Sequence, residues 1–251
     1  MAYRNVDHYY IHRAEEHLVR FRQGASRLGL CIPWSVQELL AGINELLGLE
    51  PKGTQYIRPI AYRRAPELWV TGAEGRPVDV SMFTVRTEAA RDIDVPIKCQ
   101  MSPVERISSR CIPGQVKVSG SYVNSFHARR TAEAVGFNDG IMFDRDGHLA
   151  EASAANIFVI VGERLVTPPL NPDVFPGITR QVLIELARSE GIEVRERDLD
   201  RSDMLRIDGA LLCSTLMEVR ALSDLDHFQL RTVELPVYQS LLRAFRRVTH
   251  Q

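Results

Sequence analysis

Residues 116–180 read VKVSGSYVNSFHARRTAEAVGFNDGIMFDRDGHLAEASAANIFVIVGERLVTPPLNPDVFPGITR, and this stretch decides the fold. It opens on a single lysine, Lys117, between two valines. The pair Asp146-Gly147 lies between apolar runs and is a hairpin signal. An acidic residue, Glu151, then precedes a second apolar run at 156–160, and Gly177 stands where a periodic helical pattern begins. The stretch therefore predicts β-hairpins that lead into a helix.

The lysine, the glutamate and the helix start are the parts that a pyridoxal-phosphate site needs. Burial between Val116 and Val118 would favour the neutral amine of Lys117, which can act as nucleophile and proton carrier. The residues alone also allow a plainer interpretation. A lysine in an apolar strand is often a surface residue with a buried stem, and Glu151 could be an exposed strand carboxylate.

Several motifs together resemble the branched-chain aminotransferase branch of the fold-type IV pyridoxal-phosphate enzymes. They are K-V-S-G-S-Y at 117–122, E-A-S-A-A-N-I-F at 151–158, T-P-P-L at 167–170 and P-G-I-T-R at 176–180. The resemblance extends from about residue 17 to Glu218. It implies an α+β protein with an incomplete small α/β domain at 1–94. A linker and the first strand of the large domain follow at 95–114, and a larger β-barrel-like, cofactor-binding domain with helices at 115–251.

The resemblance also implies a role for each matching residue. Lys117 is the catalytic lysine and binds the cofactor covalently, and Glu151 pairs with the pyridine nitrogen. The segment H-L-V-R-F…S-R-L at 17–28 supplies Arg27 for the phosphate, whereas Arg20 and Arg22 are expected on a solvated face. The remaining cofactor residues are Tyr122, Ile178, Thr179 and Thr215. The implied substrate residues are Tyr56, Arg58, Leu216 and Met217.

The implied reaction is pyridoxal-phosphate-dependent transamination of a branched-chain L-amino acid with 2-oxoglutarate, in a homodimer or a larger homo-oligomer. A D-amino-acid transaminase or an aminodeoxychorismate lyase of the same fold stays open. A truncated homologue that binds pyridoxal phosphate or a partner without turnover also stays open. This alternative rests on two family segments that are not in the sequence, a histidine-tyrosine-glycine turn and a phenylalanine-glutamate-glycine-isoleucine-arginine segment. Ser121, Ala155 and Thr87 also depart from the family's pattern, which leaves the substrate open.

Composition narrows the class of protein. The 251 residues are 45% hydrophobic, enough for a sizeable core, and the formal net charge of −1 predicts no binding to nucleic acid or to an anionic membrane. No apolar run is long enough to span a bilayer, and the N-terminus lacks the apolar centre of a signal peptide. The four cysteines are widely spaced, which favours reduced thiols in a cytoplasmic enzyme over a metal site or a disulfide framework.

Periodicity and turn residues predict the order of the elements. Helices are expected at 12–29, at 35–47 behind a Ser35/Glu38 capping box, and at 122–135, 178–190, 202–207 and 234–248. Strands are expected at 56–61, 78–86 and 209–214, with an extended run at 97–109 and hairpins over 138–167. Pro59 suggests an edge position or an interruption of its strand.

Overall fold

The computed structural model describes residues 1–5, 8–50, 53–64, 75–87 and 94–249, without the side chains of residues 5 and 8. The chain divides into two compact units, Met1–Glu88 and Ala89–Gln251. The segment 95–114, expected to contain a linker and a first strand, belongs to the second unit, and its strand spans Ile97–Met101.

The N-terminal unit combines a four-stranded antiparallel sheet with two helices. In the order β2-β1-β3-β4, the strands are β1 (Ala2–Asn5), β2 (His8–Ile11), β3 (Gln55–Arg63) and β4 (Val78–Arg86). The helices are α1 (Ala14–Arg27) and α2 (Val36–Leu49). The capping box is confirmed: the Ser35 side chain accepts a bond from the N–H of Glu38, and the Glu38 carboxylate accepts one from the N–H of Ser35. Helix α2 continues through Gly48, which the sequence had suggested as its end.

The two faces of the β3–β4 pair differ. Ile57, Ala61, Val80 and Met82 pack toward the core formed with α1 and α2. The alternate positions, among them Arg58, Ile60 and Phe83, are exposed, as the two-residue period of a strand requires. In the described residues, β1 pairs with β3 only between Ala2 and Gln55. Pro59 lies beyond this pairing, so β3 is an edge strand at Pro59, as the proline suggested.

The C-terminal unit contains a mixed sheet of nine strands. Their order is β10-β9-β8-β11-β12-β5-β6-β7, with β13 paired to β12. The strands are β5 (Ile97–Met101), β6 (Asp139–Phe143), β7 (Leu149–Ala152), β8 (Asn156–Val161), β9 (Arg164–Thr167), β10 (Glu193–Glu196), β11 (Gly209–Ser214), β12 (Glu218–Leu225) and β13 (Phe228–Gln229). The helices are α3 (Tyr122–Glu133), α4 (Ile178–Ser189), α5 (Arg201–Met204) and α6 (Pro236–Thr249).

Most of the predicted elements in this unit are confirmed. Gly147 and Gly162 adopt positive φ angles in the predicted hairpin turns, and Gly191 does so after α4. The extended run predicted over 97–109 is wrong beyond Met101, where the chain leaves the sheet for an irregular segment. Strand β12 was not predicted at all. It begins at Glu218, which has a φ of 55°, directly after the turn that follows β11.

The sheet of the C-terminal unit has apolar clusters on both faces. One contains Ile141, Ile157 and Leu212 from the strands. The other packs alternate strand residues such as Phe158 and Leu211 against α4 and α6. Because the central strands are buried on both faces, they are near-continuous apolar runs. Among the described residues, none of the helices has the length and apolar content that a bilayer crossing requires.

Candidate functional site

Lys117 lies in an irregular segment just before α3, not in a strand. Its Nζ is 4.9 Å from the centre of the Phe175 ring and 5.6 Å from that of Tyr122. The expected burial of this lysine is wrong, because the residue is exposed while the neighbouring Val116 turns into the interior. Two aromatic faces therefore hold the amine by cation–π attraction rather than by enclosure, and the amine is open to a substrate that arrives from solvent.

Glu151 is buried on β7, with only 7% of the residue exposed. Its Oε1 lies 2.9 Å from Nε of Arg106, which is buried as well. Its Oε2 accepts a bond from the N–H of Phe175 at 3.3 Å and a long one from Asn156 Nδ2 at 3.4 Å. Burial raises the pKa of Glu151, while Arg106, the Phe175 amide and Lys117 act in the opposite direction. The interpretation of Glu151 as an exposed strand carboxylate is thus excluded.

Arg106 is the main residue of this site that the sequence did not indicate. It belongs to the segment after β5, and its N–H donates to the carbonyl of Phe143 on β6 at 2.8 Å. On its other side it lines a surface recess of about 560 Å³ together with Glu105, Ile107, Ser108, Asn124 and Arg145. No local pattern marks it, because its partner Glu151 is 45 residues away in the chain.

The turn Phe175-Pro176-Gly177 connects the carboxylate to the start of α4. The Phe175 carbonyl accepts bonds from Asn156 Nδ2 and from the N–H of Gly177, both at 2.9 Å. A Cβ at Gly177 would lie 2.1 Å from Asn156 Oδ1, so any larger residue there would push the Asn156 side chain out of its present position. Asn156 therefore contacts Glu151, the turn and the helix start at once.

The first turn of α4 has no side-chain cap. Its N-cap residue, Gly177, has no side chain to supply one; α1 and α3 are likewise uncapped, whereas α2 and α5 are capped by Ser35 and Asp200. Unpaired N–H groups and the helix dipole favour negative charge at such an end. Ile178 and Thr179, the first two residues of the helix, are both buried. A phosphate suits this position.

The turn between β11 and β12 carries three further predicted residues. Thr215 is half-buried, Leu216 is exposed and Met217 is half-buried. The N–H of Met217 donates to Ser214 Oγ at 3.1 Å, so in this structure it has an acceptor within its own turn. The substrate roles of Leu216 and Met217 stay predictions.

The other predicted residues belong to the N-terminal unit. Tyr56 and Arg58 lie on the same face of β3, with the guanidinium carbon of Arg58 5.5 Å from the centre of the Tyr56 ring. Arg27 is exposed in the last turn of α1. Arg20, on the same helix, is half-buried, so a fully solvated position for it is not what the structure shows.

The chain resembles known proteins over most of its length. The model of a family described as amino-transferase class IV matches residues 3–225. A probable branched-chain-amino-acid aminotransferase of Aquifex aeolicus is 31% identical over 238 residues, which cover 94% of this chain and 76% of that protein.

Two solved structures of branched-chain aminotransferases have the same fold. The enzyme of Thermoproteus uzoniensis with norvaline has a TM-score of 0.93 and 27% identity, covering 99% of this chain and 83% of that one. The enzyme of Thermobaculum terrenum in its PLP-bound holo-form has a TM-score of 0.91 and 25% identity, covering 99% of this chain and 82% of that one. These matches confirm the two-domain α+β fold that the motifs implied.

Proposed function

The chain belongs to the class IV aminotransferase family, and from that premise we propose that it transfers the amino group of a branched-chain L-amino acid to 2-oxoglutarate with pyridoxal phosphate as cofactor. One observation in the structure carries this proposal. The Lys117 amine lies over Phe175, and the backbone of Phe175 bonds the buried Glu151. A nucleophilic amine and a carboxylate are thereby held by the same residue.

The residues present fit pyridoxal phosphate. Glu151 offers a buried carboxylate for a ring nitrogen, and the uncapped start of α4 suits the phosphate. When bound, the cofactor supplies an electron sink that stabilises negative charge at the substrate's Cα. Glu151 would support that charge, because a carboxylate near the ring nitrogen keeps the nitrogen protonated.

Lys117 is the general base and acid of this proposal. From its exposed position its Nζ would remove the proton from the Cα of the donor amino acid. In the return half-reaction it would deliver a proton to the Cα of the amino acid that forms from the 2-oxo acid. The rings of Phe175 and Tyr122 attract the ammonium form, so they would keep the side chain in place between the two transfers. Tyr122 would also orient the cofactor through its phenol.

The family resemblance implies four residues as ligands of the phosphate. The N–H groups of Ile178 and Thr179 would donate to it, and the hydroxyl of Thr215 would add one bond. Arg27 of the N-terminal unit would supply the guanidinium, whose fork matches two phosphate oxygens.

The family resemblance also implies four substrate residues. Arg58 would hold the substrate carboxylate with Tyr56 beside it, and the amides of Leu216 and Met217 would contribute. The face that carries Arg58 also exposes Phe83 and Val85, whose apolar side chains suit an aliphatic substrate. The relative solved with norvaline likewise binds an apolar amino acid.

Incubation with single substrates tests this function. L-leucine should release its 2-oxo acid and remove the visible absorbance of the bound cofactor, and 2-oxoglutarate should restore that absorbance. D-alanine and aminodeoxychorismate should react far more slowly. A holoenzyme that binds the cofactor and reacts with none of these compounds would contradict the proposal and would favour a non-catalytic homologue.

We also propose that the chain is a cytoplasmic homodimer or larger homo-oligomer. On α3, Val123 is 74% exposed and Phe126 is 66% exposed, an apolar pair that a second copy would cover. Light scattering should give at least twice the mass of the chain, and V123E/F126E should lower it. A monomeric wild-type mass would contradict this.

A further inference from the structure

Arg180 is a buried arginine to which the proposed reaction gives no role. It follows Thr179 in the first turn of α4, and its side chain is 4% exposed. Its Nη2 donates to the carbonyl of Pro168 at 2.8 Å and to Glu196 Oε2 at 2.7 Å. Pro168 directly follows β9 and Glu196 ends β10. One guanidinium therefore joins the start of α4 to the ends of two adjacent parallel strands.

Stability alone does not account for this arrangement. The Nε of Arg180 is buried and has no hydrogen-bond partner among the described residues, which costs free energy. An apolar side chain of similar volume is often as good as, or better than, a buried ion pair for folding. What the guanidinium adds is a fixed distance and direction between α4 and the strand ends.

The first turn of α4 is held at two points. Asn156 packs against Gly177 on one side, where there is no room for a Cβ. Arg180 holds the turn from the other end, three residues further on. Ile178 and Thr179 lie between these points, so their N–H groups cannot shift without moving one of the two contacts.

We propose that Arg180 is a positioning residue that aims the N–H groups of Ile178 and Thr179 at the cofactor phosphate. This inference rests on the proposed function. Arg180 acts through the helix, because its Nη2 is occupied by Pro168 and Glu196. Loss of the contact should weaken phosphate binding specifically and leave the rest of the cofactor site in place.

Binding of pyridoxal phosphate and of pyridoxal, which lacks the phosphate, separates this role from a general structural one. Both dissociation constants are measured by absorbance titration of the apoprotein. In R180M the constant for pyridoxal phosphate should rise about tenfold, the equivalent of one charged hydrogen bond, while that for pyridoxal changes less than about twofold. R180K, which keeps the charge but not the fork, should give a smaller rise of the same kind.

Two variants serve as controls. E196Q keeps an acceptor oxygen for Arg180 and should change the constant for pyridoxal phosphate by less than about threefold. R188M makes the same substitution at an exposed position in the last turn of α4 and should change neither constant.

The outcomes distinguish the two proposals. Equal increases in the dissociation constants of pyridoxal phosphate and pyridoxal in R180M, or no increase in either, would overturn the role of Arg180. Where R180M does not fold, R180K decides in the same way. A wild-type protein that binds pyridoxal as tightly as pyridoxal phosphate would instead contradict the proposed function.

Discussion

The two units differ in how they hold their proposed functional residues. In the C-terminal unit, Glu151 and Thr179 are buried and the carboxylate has several fixed partners. In the N-terminal unit, Arg27 and Arg58 are exposed, and Arg58 Nη2 donates a long bond to Tyr56 Oη at 3.5 Å. Cofactor chemistry needs fixed geometry, whereas an exposed strand face can change its side chains at little cost to the fold. We therefore expect substitutions in the first group to affect the chemistry and those in the second to affect binding.

The largest effect should come from K117A. Without the amine there is no covalent cofactor and no base at the substrate's Cα, so turnover and the visible absorbance of the holoenzyme should both be lost. Absorbance spectra and a leucine transamination assay measure this. A visible spectrum that survives in K117A would refute the assignment.

K98A is the matched control for this substitution. Lys98 is an exposed lysine of the same unit, with a 3.9 Å ion pair to Asp224. Its loss should leave both the spectrum and the rate unchanged. An equal loss in K98A would show that the assay reports stability rather than chemistry.

The Glu151–Arg106 pair should give the next largest effect. E151Q removes the charge that faces the cofactor ring, and kcat should fall by about 10²–10³. R106M leaves a buried carboxylate without its cation and should cost about 3–5 kcal/mol of the free energy of unfolding. The double variant E151L/R106M should regain most of that stability while its rate stays low. Recovery of the rate in the double variant would show that the pair is structural only.

The pH dependence of stability tests the environment of Glu151. Burial raises its pKa in the folded state, so the folded protein holds a proton there that the unfolded chain has lost. The contribution of this group to the free energy of unfolding is thus most favourable below the ordinary glutamate pKa, about 4.3. This contribution of Glu151 declines as the pH rises through the raised pKa of the folded state. Urea unfolding at a series of pH values should show this decline in wild type and not in E151Q. The same slope in both proteins would contradict it.

The features predicted from sequence are those whose cause is local. The Ser35/Glu38 capping box depends on four consecutive residues, and the strand at 209–214 on one apolar run, so both were predicted with the observed geometry. Glu151 and Thr179 were predicted as site residues from motifs that surround them in the chain, and those roles stay predictions. Arg106 was not found, because its role depends on a contact between β7 and the segment after β5.

At Lys117, a local sequence pattern gave a wrong prediction. Its apolar neighbours indicated burial, yet only Val116 is buried and the amine is exposed over two rings. One of those rings, Phe175, is 58 residues away in the chain. The pairing of β1 with β2, which places Tyr3 opposite Tyr10, was likewise missed, since no glycine or proline in residues 1–11 of the sequence marks a break between two strands. A contact between segments that are far apart in the chain produces no periodic pattern in the sequence.

Among the exposed residues of the N-terminal unit, Arg58 is expected to act in substrate binding, which R58A tests. Loss of one charged hydrogen bond to the substrate carboxylate should raise the KM for leucine about tenfold and leave kcat within about twofold. The dissociation constant of pyridoxal phosphate should not change. A lower kcat with an unchanged KM would show that Arg58 acts in the chemical step instead. The expected difference between the two units, chemistry in one and binding in the other, would then not hold.

The smallest effect should be that of R27A, because an exposed guanidinium gains less from its bonds than a buried one. The dissociation constant for pyridoxal phosphate should rise about three- to tenfold, with little change for pyridoxal. R20A is the matched variant on the same helix, seven residues earlier and half-buried. A loss of phosphate affinity in R20A and not in R27A would move the phosphate role to the more buried arginine.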